Sequence, residues 1–259
     1  MTTFIQARRA MASLRRTHAR PVERVAYRVG AVLFASGLVH FVVLVASGTT
    51  WLGPLSYRKA MTFGLSFGLT LATLAWAGSF LRMNERLRTV LLGAFTTVSV
   101  VEVALVTMQV WRRVPSHFNF ETGFDTAVSM MLAVGGGVII VTIVGFTVAA
   151  LRTTSGLSPS MLFALRFGLV VLITALAVGA IMIADGVRLA RGGDPQLAYT
   201  TAGALKPVHF VAMHAILVVP ALAWLLRFTT WSERRRTHVV QAVAAVYALV
   251  VAGTWILFG

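Results

Sequence analysis

Residues 125–151, DTAVSMMLAVGGGVIIVTIVGFTVAAL, carry no charge after Asp125. As a helix rising ~1.5 Å per residue, this stretch more than crosses the ~30 Å of hydrocarbon in a bilayer. It therefore reads as a transmembrane span. The same reading extends outward to six further apolar blocks, at 26–47, 59–81, 88–111, 161–185, 207–227 and 238–258. Turn signals separate them: Gly53-Pro54, Asn84-Glu85-Arg86, Pro115-Ser116, Ser155-Gly156 with Pro159, Gly192-Gly193-Asp194-Pro195, and Ser232-Glu233-Arg234.

Composition agrees. The chain is 58% hydrophobic and 12% charged, about half the charge share of a soluble domain. What decides the class is that the apolar residues fall in long blocks with short charged punctuation. The expected fold is all-α, a polytopic membrane bundle of about seven transmembrane helices. Residues 26–259 form one domain, and residues 1–25 form a basic tail. In that tail Phe4, Ile5, Ala7, Met11 and Leu14 recur at helical spacing opposite Arg8, Arg9, Arg15 and Arg16, the pattern of an amphipathic helix lying on a membrane surface. The first apolar block is too long for a signal peptide and reads as a retained span.

The arginines set the expected orientation. Fifteen Lys and Arg fall on the side of the amino terminus, among them Arg20, Arg24, Arg82, Arg86, Arg88, Arg152, Arg227 and Arg234 to Arg236. Seven fall on the other side: Arg58, Lys59, Arg112, Arg113, Arg188, Arg191 and Lys206. The positive-inside rule then places the amino terminus in the cytoplasm and the carboxyl terminus outside, in a multi-pass protein of the cell membrane. Trp51, Trp111 and Trp255 at one level and Trp76, Trp224 and Trp231 at the other suit two interfacial belts. The net charge of +15 is then explained by orientation and by attraction to anionic lipid at the cytoplasmic face, so no nucleic-acid partner is expected.

The absence of cysteine excludes disulfides, iron–sulfur ligation and thiolate chemistry. A retinal Schiff base is also not expected, since the only lysines are Lys59 and Lys206, neither in the last span.

Ionisable groups inside hydrocarbon cost ~2.5–3.5 kcal/mol on insertion scales, so each calls for a partner or a purpose. Here they are His40, Glu102, Arg166, His209 and His214, with Gln109 as a polar neighbour, while Asp125, Asp185 and Lys206 stand at span ends. Counting along the spans puts His40, Glu102 and His214 at one depth, roughly 10–14 Å below the outer boundary. Above them the loop Arg112–Asp125 packs two arginines, His117, Asn119, two carboxylates and three phenylalanines together. This is the density of a loop folded over a pocket rather than a solvated connector.

The leading expectation is an outward-facing His/Glu pocket holding a cofactor for a redox role. In a b-type haem site, His40 and His214, with His209 nearby, would supply axial nitrogen, and Arg58 and Lys206 would hold the propionates. In a transition-metal site, His40, Glu102, His117 and His214 would be the ligands. Gln109, Asn119, Asp125 and Asp185 complete the expected pocket. A quinone or other redox partner would follow from either. The alternative is a small-solute or proton-coupled transporter using the same residues. A membrane-embedded hydrolase or transferase has only Ser116 beside His117 to offer. Against all of these stands the plain reading that intramembrane histidines bond helices together, each for about 0.6–2 kcal/mol.

Overall fold

A computed structural model describes residues 19–201 and 203–258. The amphipathic reading of the tail concerns residues outside this range. Among the described residues eight helices follow one another: α1 Pro21–Ser47, α2 Arg58–Ser79, α3 Glu85–Trp111, α4 Gly123–Arg152, α5 Pro159–Arg191, α6 Pro195–Thr201, α7 Lys206–Leu226 and α8 Glu233–Phe258. All but α6 are long and apolar enough to cross a membrane, and no strand occurs among the described residues. The molecule is a seven-helix membrane bundle.

Most helices start or end beyond the apolar blocks that announced them, because polar residues continue and cap them. Pro21 supplies the preset φ of a first helical turn, and the Glu23 carboxylate accepts from the Arg20 backbone N–H at 2.9 Å, so α1 begins inside the stretch expected to be tail. Asn84 caps α3 through the Leu87 N–H at 2.7 Å, and Thr122 caps α4 through the Asp125 N–H at 3.0 Å.

The helices pack in sequence, α1 on α2 and α3, α3 on α4, α4 on α5, and α7 between α5 and α8, with only slight contact between α2 and α7. The closest crossing is α1 on α2. Gly37 and Gly64 meet there backbone to backbone, as do Gly30 and Gly68. A Cβ on Gly64 would stand 2.6 Å from the Gly37 nitrogen and 2.8 Å from the Leu33 oxygen. This is the small-residue packing by which membrane helices approach when burial in water supplies no drive.

At the amino-terminal face a buried ion network closes the bundle. Arg88 and Glu23 are 2% and 3% exposed. Arg88 lies 3.6 Å from Glu23 and donates to the carbonyls of Gly78 and, at 2.9 Å, Leu81 at the end of α2. Arg20 joins Glu23 at 3.0 Å and Glu85 at 2.7 Å. Arg166 caps the end of α4 by donating to Ala150, Leu151 and Thr153 carbonyls at 2.9–3.1 Å. Cations at helix C-termini are stabilising there.

Candidate functional site

At the opposite face, residues 112–122 fold back over the helix ends, as their composition suggested. Ser116 and Asn119 are fully buried. Phe118 wedges against Gly186 of α5, where a Cβ would collide with its ring, and Arg191 stacks over Phe120 at 5.2 Å. Two non-glycine residues adopt left-handed backbone, Arg113 at φ 58° and Phe118 at φ 61°. Such strain costs about 1–3 kcal/mol per residue and persists only where neighbours over-determine it. Here Phe118 is held against Gly186 and Arg113 over Tyr57 at 5.0 Å, and the loop's ends are clasped around Asp125. Its carboxylate, 2% exposed, accepts from Gln109 Nε2 at 2.9 Å, Arg112 at 2.6 Å and Thr122 Oγ1 at 2.6 Å. Arg112 also donates to Gln109. Gln109 and Asp125 are thus mutually satisfied and hold the loop's two ends together.

Under this loop the starts of α2 and α7 bring Arg58, Lys59 and Lys206 within mutual electrostatic reach. No carboxylate pairs with any of the three among the described residues. Lys59 Nζ donates to Ser116 Oγ at 3.2 Å, and Ser116 Oγ lies 2.9 Å from His117 Nδ1. Because the ammonium can only donate, the Ser116 hydroxyl is free to pass its proton toward Nδ1, which leaves His117 as the Nε2–H tautomer. Arg58 Nε is buried without a partner, as are Asn119 Nδ2 and the Tyr199 hydroxyl at the same end of the bundle. These are donors in want of acceptors, and burying such a group unpaired costs about 1–3 kcal/mol. The surroundings are therefore electropositive and rich in donors, which is the chemistry that takes an anion.

Burial, and then the charges of Lys59 and Lys206, push the His117 imidazole down to about 3. Its unfolded value is 6.5, so between these values the unfolded chain binds a proton that the folded chain does not. Stability from this source is complete above about pH 6.5 and is lost as pH falls toward 3. We expect acidification from roughly pH 7 to 4.5 to lower Tm by on the order of 5 °C more in the wild type than in His117→Gln. Parallel curves for the two would show that His117 is not held neutral.

The other residues singled out by the sequence are dispersed. His40 donates or accepts through Nδ1 with its own helix, at 2.7 Å from the Ser36 carbonyl, and since a carbonyl only accepts, Nδ1 carries the hydrogen. Its Nε2 then accepts from Trp111 Nε1 at 3.1 Å. Both nitrogens are engaged, and binding a metal through Nε2 requires breaking the bond to Trp111. Trp111 stands nine residues beyond Glu102 on α3, about 13 Å along the helix, so His40 and Glu102 do not share the level expected of them. Glu102 is buried against Gly135 of α4. His209 Nδ1 bonds the Ala175 carbonyl of α5 at 2.7 Å. His214 Nδ1 bonds the Phe210 carbonyl of its own helix at 2.7 Å, while its ring lines a crevice between α2 and α7 with Ser66, Thr70 and Thr73. Asp185 is exposed and faces only Arg188, at 3.8 Å. No group of three or more His, Asp or Glu gathers as a metal site among the described residues.

Of the expected pocket, the structure thus assembles Arg58, Lys206 and His117, adds Lys59 and Ser116, and leaves His40, Glu102 and His214 apart. Lys59 stands beside Arg58 on the polar outer side in the sequence but has no part in the expected haem or metal site. The signal that singles it out is that it and Lys206 are the only lysines in the chain. The chain matches no protein-family model, no curated protein and no solved structure. Its functional reading rests on its own geometry.

Proposed function

We propose that this membrane protein binds the carboxylate or phosphate of a small solute in the cradle of Arg58, Lys59 and Lys206. With the arginine-rich face in the cytoplasm, the cradle opens to the outside. The observation that carries this reading is the convergence of three cations at two helix starts with no carboxylate among them. Arg58 and Lys59 are half-buried and Lys206 is exposed. Held this close, partly desolvated like charges repel, so an anion that supplies acceptor oxygens relieves a cost already built into the free protein. The helix starts add their own partial positive charge. His117, kept neutral and presenting Nε2–H, supplies a further donor without adding to the repulsion.

A second reading, passage of the solute into the membrane, is supported by the face of α2 that bears Lys59. Lys59, Phe63, Ser66, Thr70 and Thr73 recur at helical spacing on it. Ser66, Thr70 and Thr73 line the α2–α7 crevice, whose cavity of about 20 Å³ has room for one water.

Calorimetric titration of the purified protein in neutral detergent with inorganic phosphate and with acetate tests the reading. Saturable binding that weakens steeply with added salt is expected; no heat with either anion, and no shift in melting temperature, would refute it. Flux of the bound anion into proteoliposomes separates passage from binding alone.

A further inference from the structure

We propose that Glu102 is a proton-binding site in the interior of the membrane, resident as a neutral carboxylic acid at physiological pH. This inference is independent of the anion cradle and rests on different residues. Glu102 sits about two-thirds of the way along α3, the 18th of its 27 residues, and is 4% exposed. Among the described residues its carboxyl has neither a hydrogen-bond donor nor an ion-pair partner, and it lies against bare backbone. A Cβ placed on Gly135 would strike the Glu102 carboxylate oxygen and would stand 3.1 Å from Val98 Cγ2. Gly135 is therefore what gives the carboxyl its seat. Its two neighbours, Gly136 and Gly137, meet nothing within 4 Å.

No charge faces this seat from the helices around it. Along α3 the nearest are Arg112 and Arg88, about 15 and 21 Å away by helical rise. The charged residues of α4, Asp125 and Arg152, and of α2, Arg58 and Lys59, lie at the ends of those helices. On α1, His40 is held by Trp111 at the end of α3, and the remaining charges, Glu23, Arg24 and Arg28, lie toward the amino-terminal face. Toward the loop face, Val106, Val128 and Leu132 form a buried apolar layer, and beyond it the Gln109–Asp125 clasp is already satisfied. A carboxylate at this depth with no donor and no counter-ion among the described residues takes up a proton instead of bearing the charge.

A neutral acid in an apolar setting reacts with a hydrophobic carbodiimide. The acid proton moves to one carbodiimide nitrogen, the carboxyl oxygen bonds to the central carbon, and transfer of the acyl group to nitrogen leaves a stable N-acylurea with no group lost. The full chain in detergent is treated with dicyclohexylcarbodiimide at neutral pH and its peptides are analysed by mass spectrometry. Glu102 is expected to be modified at least tenfold more than Glu85, Glu121 and Glu233, and more than Glu23, which is buried but paired with arginine. A water-soluble carbodiimide is expected to reverse that order. Infrared difference spectra of wild type against Glu102→Gln keep the inference testable if the reagent cannot reach the site, because they read the carboxylic-acid carbonyl band directly. An adduct at Glu102 at neutral pH, or an acid band lost in the variant, sustains the assignment. Modification only under acid conditions in step with Glu85, or the absence of both adduct and band, overturns it.

Discussion

Lys59→Gln combined with Lys206→Gln is expected to abolish measurable anion binding while leaving the protein folded. Hydrogen bonds to charged groups contribute about 1.5–3 kcal/mol each, so either single change should weaken binding roughly 10- to 100-fold and the pair together roughly 10²- to 10⁴-fold. The fold should tolerate the loss. Neither lysine closes a salt bridge among the described residues, and the Gln amide at 59 can still donate toward Ser116. Removing two like charges from one site also relieves repulsion, so the melting temperature without anion should hold or rise. Arg227→Gln, an exposed cation at the other face, serves as the control for a general effect of net charge. Titration with inorganic phosphate reads the four variants against the wild type. Unchanged affinity in the double variant would mean that the cradle is not where the anion goes.

Why this site was only half visible in the sequence follows from what lipid demands. Each span must satisfy its own backbone as a helix and be long enough to cross, so all seven could be read from length and composition. Their ends could not be read as closely, because caps such as Glu23 and Asn84 are polar and lie outside the apolar blocks. The short helix α6 has no membrane-length signal at all. Side-chain partnerships were harder still, since periodicity gives the face of a helix but not which helix lies opposite. Glu102 stood out as a lone acid in a span, yet nothing pointed to Gly135. His40 reads as a free ligand in the sequence, but Trp111 occupies its second nitrogen. Arg88 counts in the sequence only toward orientation, and in the structure it is buried beside Glu23. Lys59 and Lys206 lie on helices distant in sequence that barely touch, and they come near each other only at the helix starts beneath the loop. The reading of 112–125 as a folded cover succeeded because its content of aromatics and paired charges is a local property.

Gly64→Leu is expected to prevent recovery of a folded, monodisperse protein, whereas Gly137→Leu, two residues beyond Gly135 on α4, is expected to change stability by no more than about 0.5 kcal/mol. The contrast comes from what each new side chain meets. At Gly137 there is nothing within 4 Å, so the leucine points into lipid. At Gly64 the first added carbon would lie 2.6 Å from Gly37 N and 2.7 Å from Gly37 Cα, atoms of a backbone that cannot turn aside as a side chain can. Overpacking a core ordinarily costs about 1–3 kcal/mol because neighbours change rotamer. Here relief requires α1 and α2 to separate along their crossing, which forfeits the van der Waals contact that holds membrane helices together. Gly64→Ala should keep the fold at reduced Tm and expose the link to function. Lys59 lies five residues before Gly64 on the same rigid helix, so pushing α2 away from α1 displaces Lys59 relative to Lys206 and should weaken anion binding even though no residue of the cradle has changed. Size-exclusion profiles, melting curves and phosphate titrations of the three variants distinguish these outcomes. A monodisperse Gly64→Leu protein with wild-type Tm would show that the glycine crossing does not set the position of α2, and with it the placement of the cradle would lose its physical basis.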